Sequence, residues 1–172
     1  MRNTLIIYSS VDGHTKEISK RIAEKIKDKS SVDLIPLSEA NSLSLSNYEQ
    51  IIIGASIRYG NYRRELFDFI DRNLEDIIKK DNAFFSVNVV ARKEDKSTIE
   101  LNPYIKKFLN SSKWQPNKID VFAGVVDYPS YGFFDKFMIR LIMLITKGPT
   151  DVTERFEFTD WNRVDKFAEN LY

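Results

Sequence analysis

The stretch SSVDGHT, at positions 9–15, puts hydroxyl groups, an aspartate and a glycine between an apolar run and an amphipathic helical pattern. A helix N-terminus leaves backbone N–H groups without acceptors and carries partial positive charge, so it can bind a phosphate without lysine or arginine. Glycine at position 13 lets the backbone turn so that these amides face a ligand. A tight strand-to-helix turn with no ligand is the alternative. The candidate phosphate-binding residues are Ser9, Ser10, Val11, Asp12, Gly13, His14 and Thr15.

The spacing of residues in this loop argues against two other kinds of nucleotide site. It lacks the Gly-x-x-x-x-Gly-Lys-Ser/Thr pattern of triphosphate-binding loops and the Gly-x-Gly-x-x-Gly pattern of dinucleotide-binding loops, so a mononucleotide remains. The carboxylate of Asp12 would repel a phosphate, and we expect it to turn away and cap the helix or stabilise the turn. We expect His14, the single histidine, to offer its backbone N–H while its ring meets solvent. A general base at His14 is the less favoured alternative.

The composition of the chain excludes several classes of function. Lysine and arginine total 26 against 25 aspartates and glutamates, which argues against a nucleic-acid partner. Cysteine is absent, so there is no thiol nucleophile or thiolate metal site, and the acidic residues show no metal-ligand spacing. The apolar N-terminal stretch is too short for a signal-peptide core, which favours a cytoplasmic protein. A length of 172 residues suits one compact domain, residues 1–172.

Apolar runs rich in β-branched and aromatic residues alternate with helical patterns, which is typical of a doubly wound α/β sheet. Five strands are predicted, over residues 4–8, 32–37, 50–55, 83–92 and 119–126. Helices are predicted over residues 15–27, 63–80, 102–112 and 159–172. In the second helix, the predicted apolar face comprises Leu66, Phe69, Ile70, Leu74, Ile77 and Ile78.

Residues 127–150 do not fit a plain doubly wound fold, which needs only a short loop after its fifth strand. We interpret them as an insertion associated with that strand. From Phe133 to Lys147 the pattern predicts an apolar helix with Lys136, Arg140 and Lys147 along one side. At about 15 residues it is too short to cross a bilayer, so it is expected to lie in a membrane interface or to cover a partner or a second copy of the chain. A helix that covers its own sheet is the alternative.

Two levels of family resemblance follow from these motifs. The loop SVDGHT is similar to the Thr-x-Thr-Gly-x-Thr phosphate loop of flavodoxins, which hold flavin mononucleotide (FMN) at the switch point of a sheet ordered 2-1-3-4-5. The segments IIIGASIRYG, SVNVVARK, SSKWQP, DKFMIRLIM and TDW resemble the menaquinone-dependent protoporphyrinogen IX dehydrogenases, flavodoxin-like enzymes of haem biosynthesis. The resemblance implies FMN as cofactor, protoporphyrinogen IX as substrate, menaquinone or another quinone as acceptor, and a place on the cytoplasmic face of the cell membrane.

A flavin ring needs flat, mostly apolar walls and backbone groups that hydrogen-bond its pyrimidine edge. The turns after the third and fourth strands lie where the resemblance implies the ring, and Tyr59 is the obvious aromatic candidate to stack on it. The amide side chain of Asn88 is expected to contribute as well. The residues assigned to the ring are Ser56, Ile57, Arg58, Tyr59, Gly60, Ser86, Val87, Asn88, Val89, Val90 and Ala91.

Basic residues near these turns are candidates to bind the two propionates of the implied substrate, because arginine pairs well with carboxylates. The candidate substrate-binding residues are Arg58, Tyr59, Arg63, Arg92 and Lys93. The alternative for Arg63 and its neighbour Arg64 is that they lie at the start of a helix, on its solvent-exposed face, and bind no ligand.

Two other functions remain open on the sequence alone. One is a flavodoxin-type electron carrier that serves protein redox partners, although such carriers usually present an acidic surface and this chain is balanced in charge. The other, less favoured, is a phosphate-binding module without redox chemistry.

Overall fold

The computed structural model describes residues 1–172, and five of its strands form one parallel sheet in the order β2-β1-β3-β4-β5. Two further short strands, β6 and β7, pair with each other in antiparallel orientation. The strands are β1 (Arg2–Ser9), β2 (Ser30–Pro36), β3 (Gln50–Ser56), β4 (Asp81–Asn88), β5 (Lys118–Ala123), β6 (Val125–Asp127) and β7 (Arg155–Glu157). The predicted five-stranded sheet and its 2-1-3-4-5 order are confirmed.

Helices connect the strands and cover both faces of the sheet. They are α1 (His14–Ile26), the single turn α2 (Leu37–Ala40), α3 (Arg64–Ile78), α4 (Pro103–Ser111), α5 (Phe133–Ile145) and α6 (Trp161–Glu169). Short 3-10 turns lie at Leu45–Asn47, Val89–Arg92, Glu94–Lys96 and Tyr128–Ser130. The Thr-Asp signal before the last helix is used as expected, since the side chain of Asp160 accepts the backbone N–H of Arg163.

Alternate residues of the central strands face two different cores. In β1, Leu5 and Ile7 join the larger core under α3 and α4, whereas Ile6 joins the core under α1 and α6. In β4, Phe84 likewise lies in the larger core and Phe85 lies in the core under α1 and α6. Because both faces of the sheet are buried, these strands are continuously apolar instead of alternating with polar residues.

Three details of the predicted elements are wrong. The fourth strand ends at Asn88, because its side-chain oxygen accepts the N–H of Ala91 and starts a 3-10 turn. The fifth strand ends at Ala123, and the residues after Gly124 leave the sheet to form β6. Ile78, predicted on the apolar face of α3, is 57% exposed because it lies at the end of the helix.

Residues 125–157, here called the α5 segment, contain a small apolar cluster of their own. Its buried members are Val126, Tyr128, Tyr131 and Met143, none of which belongs to the two cores of the sheet. Helix α5 therefore covers the β6–β7 hairpin with one face and leaves its other face exposed. None of the helices is both long and apolar enough to span a membrane. The division into one domain with an insertion over residues 127–150 stays a prediction.

Candidate cofactor-binding and active site

The loop between β1 and α1 is shaped by a glycine and a serine. Gly13 occupies the N-cap position of α1 with φ +88°, a left-handed conformation that favours glycine. The N–H of Gly13 donates to the hydroxyl of Ser10 at 3.0 Å. No side chain caps α1, so the expected capping role of Asp12 is wrong and the first amides of the helix have no side-chain acceptor.

Thr15 carries the clearest sign of a missing partner in this loop. Its residue is 1% exposed, and its hydroxyl oxygen is the only buried side-chain nitrogen or oxygen in the protein without a hydrogen bond. Buried polar groups nearly always have partners, because an unpartnered one is destabilising. A free hydroxyl beside uncapped helix amides fits a phosphate bound at this helix N-terminus.

A cleft of about 400 Å³ opens over this loop, at the carboxyl ends of the strands. Ligands bind at this edge of open α/β sheets, where the strand order reverses. The predicted site residues that line the cleft are Ser10, Val11, Asp12, His14, Thr15, Ser56, Ile57, Arg58, Val87, Asn88 and Val89. Gly124 and Val125, which follow β5, line it as well and were missed from the sequence.

A second cleft of about 640 Å³ adjoins the first and is mostly apolar. Both clefts share Asp12, Ile57, Arg58, Asn88, Val89 and Val125, so they form one continuous depression. Of the predicted residues, Tyr59, Gly60 and Val90 line only this second cleft.

Much of the second cleft is built by residues that sequence reasoning missed. The missed lining residues are Tyr104, Val126, Tyr131, Ile139, Ile142 and Met143. All except Tyr104 belong to the α5 segment, so this segment forms one wall of the site. The only sequence signal was the unusual apolar content of residues 133–147, which we assigned to the outside of the protein.

Arg58 joins three parts of the site through ion pairs. Its guanidinium donates to the carboxylate of Asp12 at 2.7 Å, and it lies 2.7 Å from a carboxylate oxygen of Asp135 on α5. Burial alone lowers the pKa of Arg58, but the two carboxylates more than offset this, and the pKa lies above its ordinary value. Asp12 thus turns to Arg58, and Arg58 reaches the clefts with its charge largely balanced.

Tyr59 stands in a tight turn with an unusual backbone. Tyr59 has φ +48° and Gly60 has φ +78°, and the flanking Arg58 and Asn61 exchange backbone hydrogen bonds, as in a two-residue hairpin turn. The phenol donates a hydrogen bond to Asp135, which lowers the pKa of that carboxyl, with Arg58 adding to the effect. The Tyr59 ring is therefore held beside α5 and remains 41% exposed.

Three residues predicted to contact the flavin have side chains that point inward. The prediction for Ser86 and Ala91 concerns their backbone groups and stays a prediction, whereas the expected role of the Asn88 amide side chain is not supported. The amide of Asn88 exchanges hydrogen bonds with Asn102 and accepts the N–H of Ala91, so it is not free for a ligand, although its residue lines both clefts. Ser86 is fully buried and its hydroxyl accepts a hydrogen bond from Tyr62. Ala91 is buried and lines neither cleft.

Two residues of the phosphate loop also line neither cleft with their side chains. Ser9 is buried, and its carbonyl accepts the hydroxyl of Ser56 at 3.3 Å. Gly13 acts through its backbone conformation. The structure therefore limits the side chains that face a ligand from this loop to those of Ser10, Val11, Asp12, His14 and Thr15.

The predicted substrate-binding cations also differ in whether they line the clefts. Arg92 donates to the carbonyls of Val89 and Thr146 at 3.0 Å, and burial lowers its pKa. It ties the end of α5 to the turn after β4, and it lines neither cleft. Arg63 is exposed at the start of α3, and Lys93 follows the 3-10 turn without reaching the clefts. Arg58 is the one basic candidate that reaches them.

The expectation that the His14 ring meets solvent is wrong. The residue is 6% exposed, and its ring lies edge-on to Trp161 with centroids 5.9 Å apart. The hydroxyl oxygen of Thr159, in the connection before α6, lies 2.6 Å from Nε2 of the ring. Thr159 is 145 positions away in the sequence, so no local pattern could predict that this ring is buried.

No group of histidine, cysteine or acidic side chains is arranged to hold a metal ion. What the site offers is a helix N-terminus without a side-chain cap, beside the unpartnered hydroxyl of Thr15, continuous with a mostly apolar cavity whose lining includes three tyrosines. That arrangement suits a mononucleotide whose ring extends away from its phosphate.

Fold and site together define a flavodoxin-type domain, and a family model described as a flavodoxin domain matches residues 5–153. Solved flavodoxins share the fold: oxidised flavodoxin 1 from Bacillus cereus has a TM-score of 0.54 at 17% identity, covering 98% of this chain and 96% of its own. The flavodoxin of Streptococcus pneumonia has a TM-score of 0.52 at 16% identity, covering 98% and 97%.

Two curated relatives are much closer in sequence. The protoporphyrinogen IX dehydrogenase (quinone) of Leishmania major is 42% identical over 169 residues, which cover 97% of this chain and 73% of that protein. The protein of the same name from Escherichia coli K12 is 38% identical over 169 residues, which cover 98% and 93%. The chain therefore belongs to the protoporphyrinogen IX dehydrogenase (quinone) family of oxidoreductases, and the predicted resemblance is confirmed.

Proposed function

We propose that this protein binds FMN and oxidises protoporphyrinogen IX to protoporphyrin IX, with menaquinone or another quinone as electron acceptor. The observation that carries the proposal is the unpartnered hydroxyl of Thr15 in a cleft that continues into an apolar cavity. Membership of the dehydrogenase family supports the choice of substrate and acceptor.

The chain's own residues would bind and orient the cofactor. The amides at the start of α1 and the hydroxyl of Thr15 would hold the phosphate. Bound FMN would supply the redox chemistry that no side chain of the protein can perform. The turn at Tyr59 and the residues after β4 would flank the ring, and the α5 segment would restrict access of water from the remaining side.

Substrate binding is assigned to the mouth of the second cleft. The apolar walls from Tyr104, Tyr131 and Ile142 suit a macrocycle, and Arg58 is placed to pair with a propionate. Because Asp12 and Asp135 already balance its charge, a propionate would compete with these carboxylates for the guanidinium.

An anaerobic assay tests this function. Purified protein loaded with FMN is mixed with protoporphyrinogen IX and a menaquinone analogue, and porphyrin fluorescence is followed. We expect it to develop much faster than with flavin-free protein. If fluorescence develops equally fast without the quinone, the proposal that a quinone is the electron acceptor is wrong. If the flavin is reduced only by protein electron carriers, the electron-carrier alternative is favoured.

We also propose that α5 docks the protein on the cytoplasmic face of the cell membrane, where a lipid-soluble quinone is available. Its outward face carries large apolar side chains, of which Phe133 is 92%, Phe134 67%, Phe137 60%, Leu144 67% and Ile145 73% exposed. Lys136 and Arg140 flank this face, and Lys147 follows the helix. A basic border beside an apolar face complements an anionic lipid surface.

Vesicle sedimentation tests the docking proposal. Vesicles that contain anionic lipid should bind the protein, and added salt should weaken the binding, since each basic residue near the surface contributes about 1 kcal/mol. Leu144→Asp should abolish binding, whereas Ile78→Asp, at an exposed apolar residue on α3, should not. If the protein does not bind vesicles but forms a dimer through this face, the face is an interface with a second copy of the chain and the docking proposal is wrong.

A further inference from the structure

A connected group of buried polar side chains lies at the end of β4, beside the second cleft. Tyr62 donates to the hydroxyl of Ser86 at 2.7 Å, and the amide of Asn88 donates to the same hydroxyl at 3.1 Å. Asn88 is joined in turn to Asn102, which precedes α4, is fully buried and lines neither cleft. A buried polar group whose members are all hydrogen-bonded makes the segments that it joins more rigid.

Backbone N–H groups fix the orientation of both asparagine amides, because an N–H can only donate. The N–H of Ala91 donates to Oδ1 of Asn88 at 3.1 Å. The N–H groups of Tyr104 and Ile105 donate to Oδ1 of Asn102 at 3.0 and 3.3 Å. The amide nitrogen of Asn102 is therefore free to donate, and it lies 3.1 Å from Oδ1 of Asn88.

Asn102 thereby supports two separate walls of the second cleft. Through Asn88 it supports the turn after β4, from which Val89 and Val90 line the cleft. As the N-cap residue of α4 it also fixes the first turn of that helix, from which Tyr104 lines the cleft. One side chain that faces no ligand thus determines how these two walls lie relative to each other.

We propose that Asn102 is a positioning residue for the flavin ring. This inference rests on the proposed binding of FMN, whose ring would lie between the turns after β3 and β4. Without the N–H groups of Asn102, the oxygen of Asn88 keeps only the N–H of Ala91, and the Asn88 amide is no longer held in one orientation. The turn after β4 then loses its support, and the cleft wall moves away from the position that the ring requires.

Two variants remove this support and keep the cap of α4. Asn102→Asp has nearly the same shape, and Asn102→Ser is uncharged, and either residue is a favoured N-cap whose oxygen can accept the first amides of the helix. Neither has an amide that can donate to Asn88. We expect both to bind riboflavin, which has the flavin ring and no phosphate, up to about ten-fold more weakly than the parent, the factor that corresponds to one hydrogen bond. FMN should lose affinity by the same factor in Asn102→Ser, and the visible circular dichroism of saturated riboflavin should differ from that in the parent.

Asn82 provides the matched control, because it is a buried asparagine at the opposite end of β4. Its Oδ1 accepts the indole N–H of Trp114 at 3.0 Å and the backbone N–H of Asn117 at 2.9 Å, and its amide nitrogen donates to two carbonyls at the end of α3. Asn82→Asp and Asn82→Ser should therefore lower the unfolding temperature as the Asn102 variants do. The affinity for riboflavin and its visible circular dichroism should stay those of the parent.

The outcomes separate this inference from the proposed function. If the Asn82 variants change flavin binding as much as the Asn102 variants do, or if only FMN and not riboflavin is affected, the positioning role is wrong. Normal flavin binding in both Asn102 variants also overturns it. Failure of the parent to bind either flavin contradicts the proposed function itself.

Hydrogen exchange of the parent apo-protein supplies a measurement that needs no variant. The amide proton of Ala91 should exchange slowly, because Asn88 and Asn102 hold its acceptor in place. Exchange of this proton at the rate of an unprotected amide would overturn the proposal, whether or not the variants fold.

Discussion

At the scale of single residues, Thr15 and Gly13 show how a binding site differs from an ordinary turn. The hydroxyl of Thr15 is buried without a partner, and Gly13 holds a left-handed backbone that most residues avoid. The unpartnered hydroxyl is unfavourable for the isolated protein, whereas the left-handed backbone costs glycine little. The hydroxyl gains a partner when a phosphate accepts its hydrogen bond, which is why Thr15 points to a ligand and Gly13 by itself points only to a turn.

Thr15→Val should therefore change stability and affinity in opposite directions. Valine has nearly the same shape as threonine, and replacing an unpartnered buried hydroxyl with a methyl group should leave the apo-protein as stable or up to about 1 kcal/mol more stable. Loss of a charge-assisted hydrogen bond should weaken FMN binding by about 1.5–3 kcal/mol. Thermal unfolding of the apo-protein and FMN titration measure the two effects. Thr15→Ser, which keeps the hydroxyl, is the control, and unchanged affinity in Thr15→Val would remove Thr15 from the site.

Gly13→Ala tests the backbone of the same loop. A Cβ at Gly13 would have nothing within 4 Å, so the cost comes from φ +88° and not from a clash. A left-handed alanine costs about 1–2 kcal/mol, and relief of that strain would move the amides and weaken FMN binding. Gly132→Ala is the matched control, because Gly132 also has open space but a φ of −64°. Equal unfolding temperatures and flavin affinities for both variants would contradict the role of Gly13.

At the scale of elements, the site depends on how the helices and strands are fixed to one another. Helices α1 and α6 lie side by side on one face of the sheet, and Asp165 of α6 joins them by pairing with Arg21 at 2.7 Å and Lys25 at 2.9 Å. On the sheet itself, Gly54 of β3 lies beside Phe85 of β4. The ion pairs of Asp165 fix the position of α1, the helix that follows the candidate phosphate loop. The absence of a side chain at Gly54 leaves room for the ring of Phe85 to lie against the sheet.

Asp165→Asn should reduce stability in a pH-dependent way. The hydrogen bond from Arg21 is the largest cause that lowers the pKa of Asp165, and with Lys25 it brings the pKa to about 2. A carboxyl with a depressed pKa stabilises the folded protein above its unfolded pKa of about 3.9, and this contribution is lost as the pH falls through the folded value. The variant should therefore be less stable than the parent at pH 5–7, and the difference should shrink below about pH 4 and vanish only below about pH 2. Denaturant unfolding across this range checks it, and a difference that is independent of pH would point to packing instead.

Gly54→Ala should destabilise the sheet through a direct clash. A Cβ at Gly54 would lie 2.0 Å from the Cζ atom of Phe85, which is too close for any relaxed contact. Overpacking of this kind costs about 1–3 kcal/mol. If the clash is the cause, the double variant Gly54→Ala/Phe85→Leu should lose less stability than the sum of the two single variants. Additive losses in chemical denaturation would contradict the explanation.

At the scale of the whole molecule, the α5 segment builds one side of the site without belonging to the cores of the sheet. Its small cluster contains Val126, Tyr128, Tyr131 and Met143, and the two larger clusters include no residue between positions 125 and 157. The segment therefore packs beside the sheet domain, with one face lining the second cleft and the opposite face exposed.

A truncation tests this organisation. Asp127 of β6 pairs with Arg155 of β7, so residues 128–154 can be replaced by Asn-Gly, which favours a two-residue hairpin turn. We expect the shortened protein to fold, because both sheet cores are retained. It should bind FMN more weakly, since Tyr131, Ile142 and Met143 are removed from the cleft wall, and it should no longer bind vesicles. Circular dichroism, flavin titration and vesicle sedimentation measure the three properties. An unfolded product would show that the segment is required by the fold itself.

The sequence alone determined the five strands of the sheet and its longer helices, apart from some of their ends, and it located the candidate phosphate loop. These depend on short-range patterns: which residues are apolar, how they repeat, and where glycine and threonine stand relative to a helix start. It also identified the exposed apolar face of α5, although not its inner face. It did not predict β6, β7 or α2. The family resemblance added the order of the strands, which periodicity does not contain.

Only the tertiary structure decided which side chains meet. Arg58 pairs with Asp12, 46 positions away, and with Asp135 on α5, while His14 meets Thr159 across 145 positions. For the same reason Arg92, which looked free to bind a substrate, binds the end of α5 instead, and Tyr104 and Tyr131 of the second cleft went unnoticed. Periodicity records which face of an element is apolar, whereas the partner of a polar side chain depends on how distant elements pack, and that information is spread over the whole chain.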